Sequence, residues 1–254
     1  MKRLCSFIAL LFAASTVGAE ESASQSANEL SSKATDPTAS LMSFSLLGTY
    51  TGGFYGDGRG QPNEASSLSL RSAIPFEFLD HPNLFRLTVP YALSGRGDEG
   101  FGAISVFDLF MFSASWGRWG IGPLMNFDTT GDLPDAFIVG PAIGGVWKVN
   151  KKLNLGLFSQ NQFGSNTTLS QLQPVIAYQL GHGWSISAGD LQFIYDWKAS
   201  QWLSVPVGFQ IGKVTKFGDL PVRLAVNPQY NLIDRAGLNE WSISFSFSAL
   251  LPSF

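Results

Sequence analysis

Glu240-Trp-Ser-Ile-Ser-Phe-Ser-Phe-Ser-Ala-Leu-Leu-Pro-Ser-Phe254 alternates large apolar residues with serine and ends on phenylalanine. Side chains in a strand repeat every two residues, so Trp241, Ile243, Phe245 and Phe247 point one way and Ser242, Ser244, Ser246 and Ser248 the other. A soluble sheet with this pattern would have to bury its aromatics against a second layer. A barrel that closes within a membrane needs no such layer, and the segment reads as its closing strand. Phe254 is out of phase with the Trp241 set, which places a break at Pro252, a residue that cannot continue the ladder.

The other end of the chain agrees. Lys2 and Arg3 form a positive region, Leu4 to Ala14 an apolar one, and Val17-Gly18-Ala19 a small-residue cleavage site. Residues 1–19 therefore read as a cleaved secretory signal peptide, too short in its apolar run to cross a bilayer. Cys5 lies inside it, and the mature chain then has no cysteine for disulfides, thiolate ligands or nucleophilic catalysis.

Composition narrows the class. Charged residues make up 14% and aromatics 13% of the chain, with 27 glycines. No stretch after residue 19 reaches the length of a membrane-spanning helix, whereas strand-sized alternating segments recur, as in a closed barrel. The net charge of −3 is spread along the chain and leaves no footprint for nucleic acid.

Residues 20–38 are small and polar, with too few large apolar groups for a core, and read as a mobile periplasmic tail with a helical turn around Asn28 to Ala34. Residues 39–254 read as the barrel. They hold twelve strand-like segments, at 42–55, 64–78, 83–93, 100–115, 118–128, 135–149, 152–164, 167–180, 183–197, 201–215, 220–233 and 240–253. Tight turns at Asn150-Lys151, Gly181-His182-Gly183 and Phe217-Gly218-Asp219 largely take turns with longer polar connections at 56–63, 94–99, 128–134 and 233–239. An even-numbered barrel with both termini in the periplasm shows this alternation, its short turns periplasmic and its longer loops outside. The expected fold is thus an all-β transmembrane antiparallel barrel in the outer membrane of a Gram-negative bacterium.

Sorting the strands by face gives the functional reading. Leu203, Val205, Val207, Phe209 and Ile211 face lipid and leave Ser204, Pro206, Gly208, Gln210 and Gly212 inside. Val222, Leu224, Val226, Pro228, Tyr230 and Leu232 similarly leave Arg223, Ala225, Asn227, Gln229 and Asn231 inside. The same phase puts Arg71, Arg86 with Thr88, Gln160, Gln162, Gln171, Gln173, Gln179, Asp190, Gln192 and Asp196 on the inner face, a polar lumen suited to solvating a permeant. Inward arginines favour anions, and Asp190 and Asp196 oppose them. The opposing reading is a filled interior in which Arg71, Arg86 and Arg223 pair with Asp108, Asp190 and Asp196.

Catalysis finds little support. A nucleophile usually needs a base, most often histidine, yet His81 and His182 both fall in turns assigned to the periplasmic side. Two distant histidines and no Asp-x-Asp loop make a poor metal site, and Gly56-Asp-Gly-Arg-Gly60 does not lead from a strand into a helix as a phosphate cradle would. No cofactor is expected. The seven tryptophans, Trp116, Trp119, Trp147, Trp184, Trp197, Trp202 and Trp241, fall near strand ends, as membrane-interface girdles do. If Phe107, Leu109 and Met111 face lipid, Phe110 and Phe112 turn inward beside Asp108 as an apolar constriction. The opposite phase fits nearly as well.

Several short motifs occur in order along the chain. They are Leu30-x-x-x-Ala34-x-Asp36-Pro37-x-Ala39-x-Leu41, Trp119-Gly-Ile-Gly-Pro123, Trp197-Lys-Ala199, Val205-Pro-Val-Gly208 and Gly212-Lys213. Together they resemble the outer-membrane channel or transporter proteins grouped with the phenol-degradation meta-pathway family, although the closing Leu-Pro-Ser-Phe departs from that family's ending. The resemblance implies a barrel that admits small compounds, aromatic or apolar ones among them, without fixing a substrate or site residues. The expected activity is that of a passive, porin-like channel or facilitator for small solutes; the alternative is a non-conducting structural or surface-interaction barrel. Expected partners are outer-membrane lipids, the barrel-assembly machinery through the C-terminal strand, and a small solute.

Overall fold

The computed structural model describes residues 26–56, 60–129 and 135–251. The signal-peptide segment, Cys5 and the terminal Pro-Ser-Phe lie outside the described residues. After a helix α1 over residues 26–34, the chain runs through twelve antiparallel traverses. These are β1 (Met42–Phe54), β2 (Ala65–Phe78), β3 (His81–Ser94), β4 (Ile104–Ala114), β5 (Gly117–Phe127) and β6 (Phe137–Lys148). They continue as β7 (Leu153–Phe163), β8 (Thr168–Gly181), β9 in two pieces (Trp184–Ser187 and Phe193–Asp196), β10 in three (Gln201–Ser204, Pro206–Gly208 and Gln210–Phe217), β11 (Leu220–Asn231) and β12 (Asn239–Leu251). Neighbours in sequence pair with one another, and β12 pairs back onto β1 from Met42↔Leu251 to Phe54↔Asn239, so the sheet closes.

The C-terminal strand alternates as its sequence predicts. Trp241, Phe245 and Phe247 are exposed on the outer surface, while Ser242, Ser244 and Ser248 are buried. Outward aromatics also mark the strand ends. Trp116, Trp147 and Trp184 stand at the end that carries the short turns, and Trp197, Trp202 and Trp241 at the opposite end. Two such girdles enclosing an apolar band are the outer surface of a barrel that crosses a bilayer.

Two expectations about the interior are corrected. First, Phe107, Leu109 and Met111 are buried, and Phe110 is exposed on the outer surface. Phe112 stacks on Trp119 with ring centroids 4.4 Å apart, and Asp108 takes the phase of Phe110, so no inward Phe110–Phe112 constriction exists. β4 carries large apolar residues in both phases, so the two-residue period could not choose between its faces. Second, the lumen is not polar all round. Ala73, Leu84, Phe107, Leu109, Met111, Leu124, Ala142 and Phe158 form a packed cluster that fills the side bounded by β2 to β7. Glycine makes room for it: a Cβ on Gly144 would lie 2.2 Å from the Phe158 ring.

Residues 28–41, ahead of β1, pack against the barrel. On α1 a Glu29–Lys33 pair at 2.9 Å spans one turn, and Leu30 and Ala34, one turn apart on the same face, pack on Ala39, Leu41, Val214 and Leu250. A nine-residue helix is marginal in isolation, so this buried face holds it. Asn28 accepts the Gly183 N–H at 2.8 Å, Asn154 donates to Ser32 at 3.3 Å and Gln179 donates to Thr35 at 3.2 Å. Those partners belong to β7, β8 and the β8–β9 turn, so α1 sits at the short-turn end.

Phe245 and Ser246 test the inside-outside assignment on adjacent residues near the middle of β12. Phe245→Arg should destabilise the barrel in lipid vesicles by about 2–4 kcal/mol, measured by urea unfolding, whereas Ser246→Asp, which faces an arginine-rich interior, should be tolerated. Equal cost at both positions would show that the faces are misassigned.

Candidate functional site

Opposite the apolar cluster, the inner wall made by β12, β1 and β2 is built of small hydroxyl side chains. Ser45 donates to Ser248 at 2.7 Å, and Thr49 and Ser244 share a hydrogen bond at 2.9 Å. These two cross-strand pairs are four residues apart along β1, about 14 Å in an extended strand. Small side chains here leave a cavity of about 160 Å³.

Three guanidinium groups and one carboxylate line that cavity. Arg223, Ser248, Ser45 and Arg71 are register partners in one row across β11, β12, β1 and β2, and Thr88 of β3 continues the row. The two arginines thus flank a pair of serines. Arg86 enters from β3, where it pairs with Ala73 and lies 5.7 Å over the Phe107 ring.

Asp190 reaches the cluster through a break in β9. Between Ser187 and Phe193 the strand leaves the ladder opposite Pro174 of β8, which has no N–H to donate. The excursion is held by the Ala188 N–H donating to the Ile176 carbonyl at 2.8 Å, and by Gln173 donating to the Gly189 carbonyl at 3.1 Å. Gly189 has φ +66°, and a Cβ there would lie 2.7 Å from Gln210 Cβ, so the residue must be glycine on two counts. Asn227 accepts the Asp190 N–H at 3.3 Å and donates to the Phe209 carbonyl at 2.7 Å. The Asp190 carboxylate then receives Arg71 Nη1 at 2.8 Å, with about a third of each side chain still accessible.

Arg223 is held differently. Its Nη2 donates to Gln210 Oε1 at 2.7 Å, and it lies flat over Gly212, where a Cβ would come within 2.5 Å of the guanidinium. Among the described residues, Arg71 alone of the three pairs with a carboxylate at salt-bridge distance. Three positive groups against one negative leave the cavity with two excess positive charges.

The sequence-derived lumen set therefore divides. Arg71, Arg86, Gln173, Asp190, Gln210 and Arg223 meet around the cavity, and Asn227 braces the Asp190 segment, with Gln229 donating to it at 2.6 Å. Gln160, Gln162 and Gln171 stand on the inner wall of β7 and β8 away from the cluster, and Gln192 lies in the β9 break. Asp196 is turned to the end of the barrel, where it caps the β9–β10 turn by accepting the Lys198 and Ala199 N–H groups at 2.9 and 3.0 Å. Ionic partners inside are fewer than a fully paired interior requires, since Asp108 and Asp196 both stand apart.

A second charged contact was not foreseen from sequence. Buried Asp36 accepts Arg118 Nη2 at 2.7 Å through one oxygen, and the Thr38 N–H and hydroxyl at 2.9 and 2.6 Å through the other. It fastens the segment after α1 to β5 at the short-turn end. The available signal was Asp36-Pro37 itself, a helix stop joined to a strong hydrogen-bond acceptor. His81 and His182 both stand at that same end, at the start of β3 and in the β8–β9 turn.

Gly212→Ala should push Arg223 off its seat and cost about 1–3 kcal/mol of stability, read from urea unfolding in vesicles. An unchanged midpoint would mean that Arg223 is free to move without loss.

No protein-family model matches the chain, and no curated protein matches it by sequence. Solved structures do. The chain is similar to the KdgM porin in complex with disordered oligogalacturonate, at 11% identity and a TM-score of 0.51, covering 84% of this chain and 99% of that one. It is also similar to outer membrane phospholipase A from Escherichia coli, at 11% identity and a TM-score of 0.47, covering 84% and 97%. At these identities the likeness to KdgM establishes the fold: this chain is a twelve-stranded antiparallel barrel of the outer-membrane kind.

Proposed function

We propose that the protein is a passive outer-membrane channel for small polar solutes, which pass along the hydroxyl wall of β12, β1 and β2 and through the arginine-lined cavity. The observation that carries this reading is the asymmetry of the interior. One side is packed solid by apolar side chains. The other bears serine and threonine, whose hydroxyls can replace part of a solute's hydration shell as it moves. The porin-type fold supports the reading at the level of architecture. Aromatic or apolar compounds, which the sequence resemblance implies, would traverse the same cavity, where a purely apolar solute gains nothing from guanidinium groups and one with a polar head does.

The segment of α1 and residues 35–41 acts in this reading as the periplasmic gate. Its Asp36–Arg118 pair has a side-chain accessibility of only 2% on the carboxylate, so removing one partner while the segment stays docked would strand a buried charge, whereas opening returns both groups to water. The alternative, a permanently closed structural barrel, draws on this same latch and on the apolar packing.

Planar-bilayer recording distinguishes the two. Wild type should give small, discrete conductance steps, and the double variant Asp36→Asn with Arg118→Gln should raise the open fraction several-fold by loosening the latch. Absence of steps from both proteins, each folded by the criterion of fast mobility on an unheated gel, would favour the closed barrel.

A further inference from the structure

The arginine cavity has the features of a binding site and not only of a constriction. Its charge is unbalanced by two, with three guanidinium groups and one carboxylate on its wall. Arg223 is 6% exposed, and its Nε, like that of Arg71, is buried without a hydrogen-bond partner. Neither Arg86 nor Arg223 has a carboxylate at salt-bridge distance among the described residues, and a carboxylate meets guanidinium groups with short, charge-assisted bonds. The remaining wall is mixed: Ser45, Ser246 and Ser248 offer hydroxyls, while Leu47, Pro174 and Val175 offer apolar contact. An inorganic anion would waste that apolar wall, and a neutral hydrocarbon would leave the guanidinium groups unmet.

We propose that this cavity binds one small organic carboxylate, its head group held by Arg86 and Arg223 and its body, about the size of a single six-membered ring, against the Leu47–Pro174–Val175 wall. The size of the body follows the cavity volume. The cavity holds about 160 Å³, and an apolar protein cavity of about 150 Å³ takes up one benzene molecule. Arg71 is a positioning residue here, because its pairing with Asp190 fixes the β9 excursion that forms one side of the site. The inference deepens the channel reading by naming its solute class, and it rests on that reading only for the route by which the ligand arrives.

The test uses the full-length mature barrel in detergent and follows 4-fluorobenzoate by fluorine NMR, with 4-fluorobenzamide as the uncharged control for uptake by micelles. Wild type should bind the carboxylate saturably and the amide no more than empty micelles do. Arg223→Gln and Arg86→Gln should each weaken binding about tenfold or more, with partial recovery in Arg86→Lys. If Arg223→Gln does not fold, Arg86→Gln carries the test, since Arg86 has no carboxylate at salt-bridge distance among the described residues. Equal binding of amide and carboxylate, or unchanged affinity in both folded variants, would overturn the site. Displacement of the probe by an equal concentration of inorganic phosphate would overturn the carboxylate class. No current is needed for this measurement. A barrel that binds but never conducts keeps the site and loses the channel, while one that conducts without binding does the reverse.

Discussion

Closure of β12 on β1 is the constraint from which the rest of the structure follows. Once Met42–Phe54 and Asn239–Leu251 are paired, no strand edge remains and each residue of every regular strand must face either lipid or the interior. The serines of β12 are thereby committed to the inside and its aromatics to the bilayer. Hydroxyls that face each other across this seam satisfy one another, so the wall that completes the ring is lined by small polar side chains. Open space collects there because the C-terminal strand is lined with serine.

The interior is consequently divided by function. Phe158, Phe107 and their neighbours do what a globular core does and stiffen β2 to β7. The opposite side is stiffened by polar contacts, each anchored on a departure from regular strand. The β9 excursion delivers Asp190 to Arg71, Gly212 seats Arg223, and Asn227 ties the excursion to β11. A regular β9 would place a side chain on the inner wall at every second residue and could not bring the backbone itself into the lumen. The resulting cavity combines a positive excess with fixed geometry.

Much of this was legible in the sequence where one face is consistently apolar. In β12, period-two sorting separates Ser244 from Phe245, and the structure buries the first and exposes the second. It failed where both phases are apolar, as in β4, because nothing local then distinguishes a lipid-facing Phe110 from a core Phe107. The β9 excursion was invisible for another reason: Ala188-Gly189-Asp190 reads as a continuation of the strand, and only Pro174, a strand away, removes the ladder donor that would have kept it regular. The docking of α1 was likewise hidden, since its short apolar face of Leu30 and Ala34 is too small to announce a core and acquires one only when Val214 and Leu250 are brought beside it.

If the interior charge excess governs what passes, ion selectivity reports it. Under a salt gradient across a planar bilayer, the wild-type reversal potential should show mild anion preference, and Arg223→Gln should shift it toward cations while the barrel remains folded. Arg223 is bonded to Gln210 and not to a carboxylate, so its loss removes positive charge without stranding a negative one. An unchanged reversal potential in a fully stable Arg223→Gln barrel would contradict the account.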